Sequence, residues 1–148
     1  MKRRTIYLLI LFLIVILIFS LLMLRNKNAE RNAILSEIKE KSDIIEVYSP
    51  SPFAVITSPL KISGRARGYW FFEATFPVKI VDSDGKTIAT SYMTAKDDWM
   101  TENFVEFEGI IEFPQSETEK GFIILEKDNP SGLPEYDDSL KIPIQFQD

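Results

Sequence analysis

The sequence predicts an all-β sandwich of about seven strands, preceded by an N-terminal transmembrane helix and a short helical stalk. Three observations carry that prediction. Residues 6–24 hold no charged side chain. From Ile44 onward, β-branched and aromatic residues recur in short runs broken by Pro, Gly, Asn and Asp, the punctuation of an all-β sandwich. No part of that body sustains the 3.6-residue apolar period of a core helix.

The first element is the apolar block 6–24 (IYLLILFLIVILIFSLLML). At about 1.5 Å per residue its length matches the ~30 Å hydrocarbon core of a bilayer. The residues around its end, Leu22-Met23-Leu24-Arg25-Asn26, offer no small-x-small cleavage site, so an uncleaved signal anchor is expected. Lys2, Arg3 and Arg4 on one side oppose Arg25, Lys27 and Arg31 on the other, which nearly cancels the positive-inside bias. Residues 25–42 lack Gly and Pro and are rich in helix formers. They predict a helical stalk, on which Ile34, Leu35 and Ile38 form a narrow apolar stripe.

The expected strands lie near residues 44–48, 55–66 with a break at Pro59, 69–81, 86–95, 103–113, 121–127 and 138–146. In the third, alternation places Trp70, Phe72, Ala74, Phe76, Val78 and Ile80 on a core face and Glu73, Thr75 and Lys79 opposite. The fifth repeats the pattern with Val105, Phe107, Gly109, Ile111 and Phe113 inward, leaving Glu106, Glu108 and Glu112 on a solvated acidic face. Leu140, Ile142, Ile144 and Phe146 close the sheet. Pro143 among them has no N–H to donate, which predicts an edge strand.

Residues 81–86 (VDSDGK) predict a hairpin in which Asp82 caps and Gly85 takes positive φ. Gly64 and Gly68 predict a bulge or room for a bulky neighbour such as Trp70 or Tyr69. Glu73, set among aromatics, is expected to pair with Arg65 or Arg67 on an adjacent strand.

Composition narrows the chemistry. The chain contains no histidine and no cysteine, so a Ser-His-Asp triad, a thiol nucleophile, a disulfide and a thiolate or histidine metal site are all excluded. Net charge is −5, and beyond residue 42 acidic side chains outnumber basic ones about two to one. Such a body repels phosphate backbones, and no nucleic-acid partner is predicted. The acidic or amide pairs Asp82/Asp84, Asp97/Asp98, Glu106/Glu108, Asp128/Asn129 and Asp137/Asp138 follow no calcium-loop spacing. Neither a metal nor another cofactor is expected, and neither is catalysis.

Several separated segments resemble one family. Residues 58–80 (SPLKISGRARGYWFFEATFPVKI), Trp99-Met100-Thr101, Phe104-Val105-Glu106-Phe107 and residues 128–135 (DNPSGLPE) are together similar to Gmad2, an immunoglobulin-like domain of bacterial envelope proteins related to spore germination. The resemblance implies an immunoglobulin-like β-sandwich over residues 43–148, outside the cytoplasm and without established chemistry. Residues 1–24 would then be tail and anchor in the lipid bilayer, and 25–42 the juxtamembrane stalk. Trp70 would occupy a place like the core tryptophan of immunoglobulin domains.

Function is then expected at a surface. Tyr69, Phe71 and Trp99 are the aromatics that alternation leaves exposed, and Asn129, Ser131 and Leu133 belong to a stiff proline- and glycine-bearing loop. A protein partner of the envelope is the first expectation for these six residues. A cell-wall glycan stacked on the aromatics is the alternative, and a structural subunit of an envelope assembly a third.

Overall fold

The computed structural model describes residues 2–147. Helix α1 (Lys2–Glu40) runs without interruption through the apolar block and the basic residues that follow. From Ile6 it is long and apolar enough to cross a membrane, with a mean hydropathy of 3.3 over its most apolar window. Its large side chains, Phe12 and Leu13 among them, are exposed. Membrane anchors and signal sequences share these properties.

All strands lie in the second of two compact units, residues 38–148. They are β1 (Ile45–Ser49), β2 (Ala54–Ile56), β3 (Leu60–Arg67), β4 (Thr75–Asp82), β5 (Thr87–Ala95), β6 (Phe104–Ile111), β7 (Lys120–Glu126) and β8 (Ser139–Phe146). Hydrogen bonding orders them β1-β3-β6-β5-β4-β7-β8-β2. The junction between β5 and β6 is short, with only Thr94 opposite Glu108 and Ala95 opposite Phe107. There the sheet folds over into an immunoglobulin-like sandwich, β1-β3-β6 against β5-β4-β7-β8-β2.

Period-two burial explains why these segments pack so. Ile62 and Ala66 of β3, Val105, Phe107 and Ile111 of β6, Phe76, Val78 and Ile80 of β4, Ile123 and Leu125 of β7, and Leu140, Ile142 and Ile144 of β8 are all buried in one cluster. Phe76 meets Phe107 edge to face at 4.9 Å, joining β4 to β6. Ile38, at the start of this unit, packs against the same cluster. Lys41 nearby bonds the Asp138 carboxylate and the Ser139 carbonyl.

The observed strands follow the expected ones with three corrections. The predicted 69–81 strand begins only at Thr75. Residues 68–70 form a 3₁₀ turn, and a two-residue reversal follows in which Glu73 (φ 49°) and Ala74 (φ 65°) are both left-handed. Phe72 and Thr75 exchange both backbone hydrogen bonds across it at 3.0 Å, the arrangement of a tight primed turn. The inserted reversal flips the local alternation, so Phe71 is buried and Phe72 exposed. Trp70 is nevertheless fully buried, as expected.

Strand β8 is not an edge. The predicted 55–66 strand splits at the Pro59 break into β2 and β3, making eight strands, and β2 lies parallel along β8 from Ala54 opposite Ile144 to Ile56 opposite Phe146. Pro143 fits this place because its carbonyl accepts from the Phe53 N–H. Its missing donor therefore faces β2, short of the first paired residue, and not β7.

Glu73 pairs with neither arginine. Arg65 donates to Glu46 at 2.8 Å, and Arg67 donates to the carbonyls of Asp43 and Glu102. Both guanidinium groups stack over the Phe104 ring, at 4.4 and 4.1 Å. The 72–75 reversal has carried Glu73 off the strand that would have placed it beside them.

The hairpin at 81–86 forms as predicted. Gly85 has φ 83°, and the Asp82 carboxylate accepts from the N–H groups of Asp84 (3.0 Å) and Lys86 (2.8 Å). Asp82 is buried, so its loss strands two donors. Asp82→Ala should therefore destabilise the fold by about 2 kcal/mol, read by chemical unfolding, and Asp82→Asn should recover part of that.

The two strand glycines make room, but for other neighbours than expected. A Cβ at Gly64 would stand 2.1 Å from the Glu46 carbonyl and 2.7 Å from the Phe107 ring. The ladder between β1 and β3 slips beside it, but the extra residue lies in β1, between Val47 and Ser49, and not in the glycine-bearing strand. At Gly68 the crowding atoms are carbonyls of the 99–101 loop.

Candidate functional site

Antiparallel strands alternate direction, so their connections collect at two ends. Residues 68–74 join β3 to β4, residues 96–103 join β5 to β6, and residues 127–138 join β7 to β8. All three lie at the end where β1 begins, since Arg67 N–H donates to the Ile44 carbonyl. Backbone hydrogen bonds stitch them together. Gly68 N–H donates to Asn103 O (3.1 Å), Ala95 N–H to Ala74 O (2.8 Å) and Asp128 N–H to Trp70 O (3.0 Å).

Each loop is stiff for its own reason. In 96–103 the Asp98 carboxylate accepts from Met100 N–H at 3.0 Å, and Thr101 Oγ1 from Asn103 N–H at 3.1 Å. In 127–138 the Asn129 amide donates to Leu133 O (2.8 Å) and Asp137 Oδ1 (2.7 Å), while its carbonyl oxygen accepts from Ser131 Oγ. Gly132 (φ 65°) supplies the left-handed residue there.

The structure thus places all six predicted surface residues at one end, but not all on its surface. Tyr69 is 51% exposed and Leu133 47%. Ser131 is exposed, yet its hydroxyl, like the Asn129 amide, is occupied in holding the loop. Trp99 is half-buried, packed against the core and meeting Phe72 edge to face at 6.4 Å. Phe71 drops out: at 3% exposure it lies under the reversal, edge-on to Phe76 at 5.2 Å.

Three exposed apolar residues of this end escape alternation: Phe72, Tyr136 and Met100, the last 76% exposed. A signal for Met100 was present, because a methionine beside a tryptophan in an otherwise polar loop has no strand to bury it. Phe72 carried none, since only the Glu73-Ala74 reversal turns it outward.

Acidic side chains surround these apolar ones. Glu73, Asp97, Asp98, Glu102 and Asp128 all lie on the three loops, and among the described residues no ion pair engages them. Partial burial, and then repulsion from Glu73, push the Asp128 carboxyl above its ordinary range. The folded state accordingly holds that proton more tightly than the unfolded chain. Ionised Asp128 weighs against folding at neutral pH, and the penalty disappears as pH falls through the raised value. Asp128→Asn should raise the melting temperature at neutral pH, and a pH series should show the gain shrinking on acidification.

Glu108 on β6 shifts the other way. A hydrogen bond from Lys61, assisted by the charges of Lys61 and Lys96, holds Glu108 below the usual carboxylate range. An open groove of about 580 Å³ runs between Pro77, Glu126 and the 127–139 segment. Among the described residues no three acidic side chains converge as metal ligands do.

The Gmad2 family model, described as an immunoglobulin-like domain of bacterial spore germination, matches residues 44–132. That stretch holds β1 through β7 and two of the three loops entirely. No match was found among the curated proteins or the solved structures.

Proposed function

The chain belongs to the Gmad2 family of immunoglobulin-like domains, and from that premise we propose that it is a membrane-anchored interaction module of the bacterial envelope. In this reading α1 holds it in the bilayer, the β body lies outside the cytoplasm, and the body binds a protein partner without performing chemistry. One observation carries the reading: three mutually bonded loops present exposed Tyr69, Phe72 and Met100 at a single end. Stiff loops on a sandwich suit recognition, because little order remains to be imposed on binding.

A non-catalytic role is supported by the carboxylates themselves. Glu73 is exposed, and Asp128, though partly buried, borders an open groove and not the enclosed cleft that a general acid needs. A glycan platform has weaker support, since Trp99 and Phe72 meet at 66° and so do not share the plane on which a sugar ring stacks.

Placement and binding are tested separately on the full chain. Alkaline carbonate should leave it in the membrane pellet, and protease added to intact spheroplasts should remove the body. Protection until lysis would refute the outside placement. Affinity purification in mild detergent should return an envelope protein in constant ratio, and repeated recovery of the chain alone would refute the interaction role.

A further inference from the structure

The loop end joins two features seldom neighbours by accident: large apolar side chains left in water and carboxylates left without cations. Tyr69, Phe72 and Met100 supply the first, with the half-buried Trp99 beside Phe72. Glu73 and Asp97, from two different loops, belong to the second. The cations nearest in sequence are committed elsewhere. Lys96 lies 3.8 Å from Glu108, Lys127 donates to Tyr136 O, and Arg67 is held by two carbonyls and the Phe104 ring.

The opposite end carries the 83–86 turn and the 112–119 connection, and its Phe113 is packed on the core against Phe146 at 6.0 Å. At the loop end, exposed apolar side chains and carboxylates outside any ion pair sit on the same loops. Anionic lipid would be repelled by this rim, whereas a basic protein segment gains from both features.

Resting on the interaction reading above, we infer that the three-loop end is the docking surface, and that its ligand is a protein segment carrying Lys or Arg beside large apolar side chains. An apolar side chain of the partner covers Met100 and the Phe72–Trp99 pair, as buried anchors do in protein interfaces. Its cations approach Asp97 and Glu73 from the rim.

The test uses the full chain in its own cells, with a photo-crosslinking amino acid placed singly at Met100, at Tyr69, and at the exposed strand positions Val55 and Tyr92. Crosslinked peptides are sequenced. Met100 and Tyr69 should capture one protein segment, with basic and large apolar residues side by side, and Val55 and Tyr92 should not capture it. Reversing Asp97→Lys and Glu73→Lys should cut that yield about tenfold without lowering the melting temperature. Asp98 is spared because it holds the Met100 N–H.

Capture from Val55 or Tyr92 alone would overturn the site while leaving the interaction role standing. No protein captured from any position would sink both. Lipid captured at Met100, a captured segment that is acidic or wholly polar, or a yield indifferent to charge reversal would each overturn the assigned ligand chemistry.

Discussion

Trp70→Ala should lower the free energy of unfolding by about 3 to 5 kcal/mol, whereas Trp70→Phe should lower it by no more than about 1 kcal/mol. Trp70 heads the fully buried side chains of the body in size, so truncation to Ala leaves a large void with strands on both sides of it. The two variants differ because the indole Nε1 is buried without a hydrogen-bond partner. Its desolvation already weakens the wild-type fold by about 1 to 3 kcal/mol. Phenylalanine loses some volume but removes that orphan donor, and the two effects oppose one another. Denaturant titration of the full chain in detergent, followed by the fluorescence of Trp99 in both variants, checks the pair. Equal losses would mean that the indole N–H makes a bond that matters.

Gly68→Ala should cost about 3 kcal/mol, at the upper end of what overpacking usually does, and should also disturb the loop end. The added Cβ would stand 1.9 Å from the Thr101 carbonyl and 2.4 Å from that of Trp99. Both are backbone atoms, so no side-chain rotation relieves the clash and the 96–103 loop must move. Gly85→Ala is the control, since a Cβ there meets nothing within 4 Å and the residue's positive φ is its only objection. Hydrogen exchange should show faster exchange at Thr101 and Asn103 in the Gly68 variant and not in the Gly85 variant. Unchanged exchange at both positions would refute the close approach.

The lattice of buried residues was legible because period-two alternation is a local property of the chain. Val105, Phe107 and Ile111, or Leu140, Ile142 and Ile144, can be assigned to the core without knowing what they face. Local grammar also sufficed for the 81–86 hairpin, where Asp and Gly are the residues that the turn requires. It failed at residues 71–74, because Glu73 and Ala74 are poor residues for a left-handed pair and nothing in their chemistry announces a reversal. Tertiary packing of Trp70 and Phe71 imposes it, and one misplaced reversal was enough to exchange Phe71 with Phe72 and to separate Glu73 from Arg65.

The candidate site was half legible for a related reason. Trp99 and Leu133 could be singled out as loop residues and Tyr69 as an outward-facing strand residue, each within its own segment. Their gathering at one end depends on strand direction, and hence on which strands pair, information that lies far along the chain. The covering of β8 by β2 is of the same kind: three residues, Ala54–Ile56, are too few to announce a parallel partner ninety positions away.

Strand direction has a mechanical consequence too. β1 and β8 both run from the loop end toward the opposite end, so a load pulling on Ile45 and Phe146 in opposed directions acts along the strands. The ladders binding β1 to β3 and β8 to β7 would then be sheared with many bonds bearing the force together, and not peeled apart one bond at a time. Under tension along that axis, the orientation makes the body a stiff link.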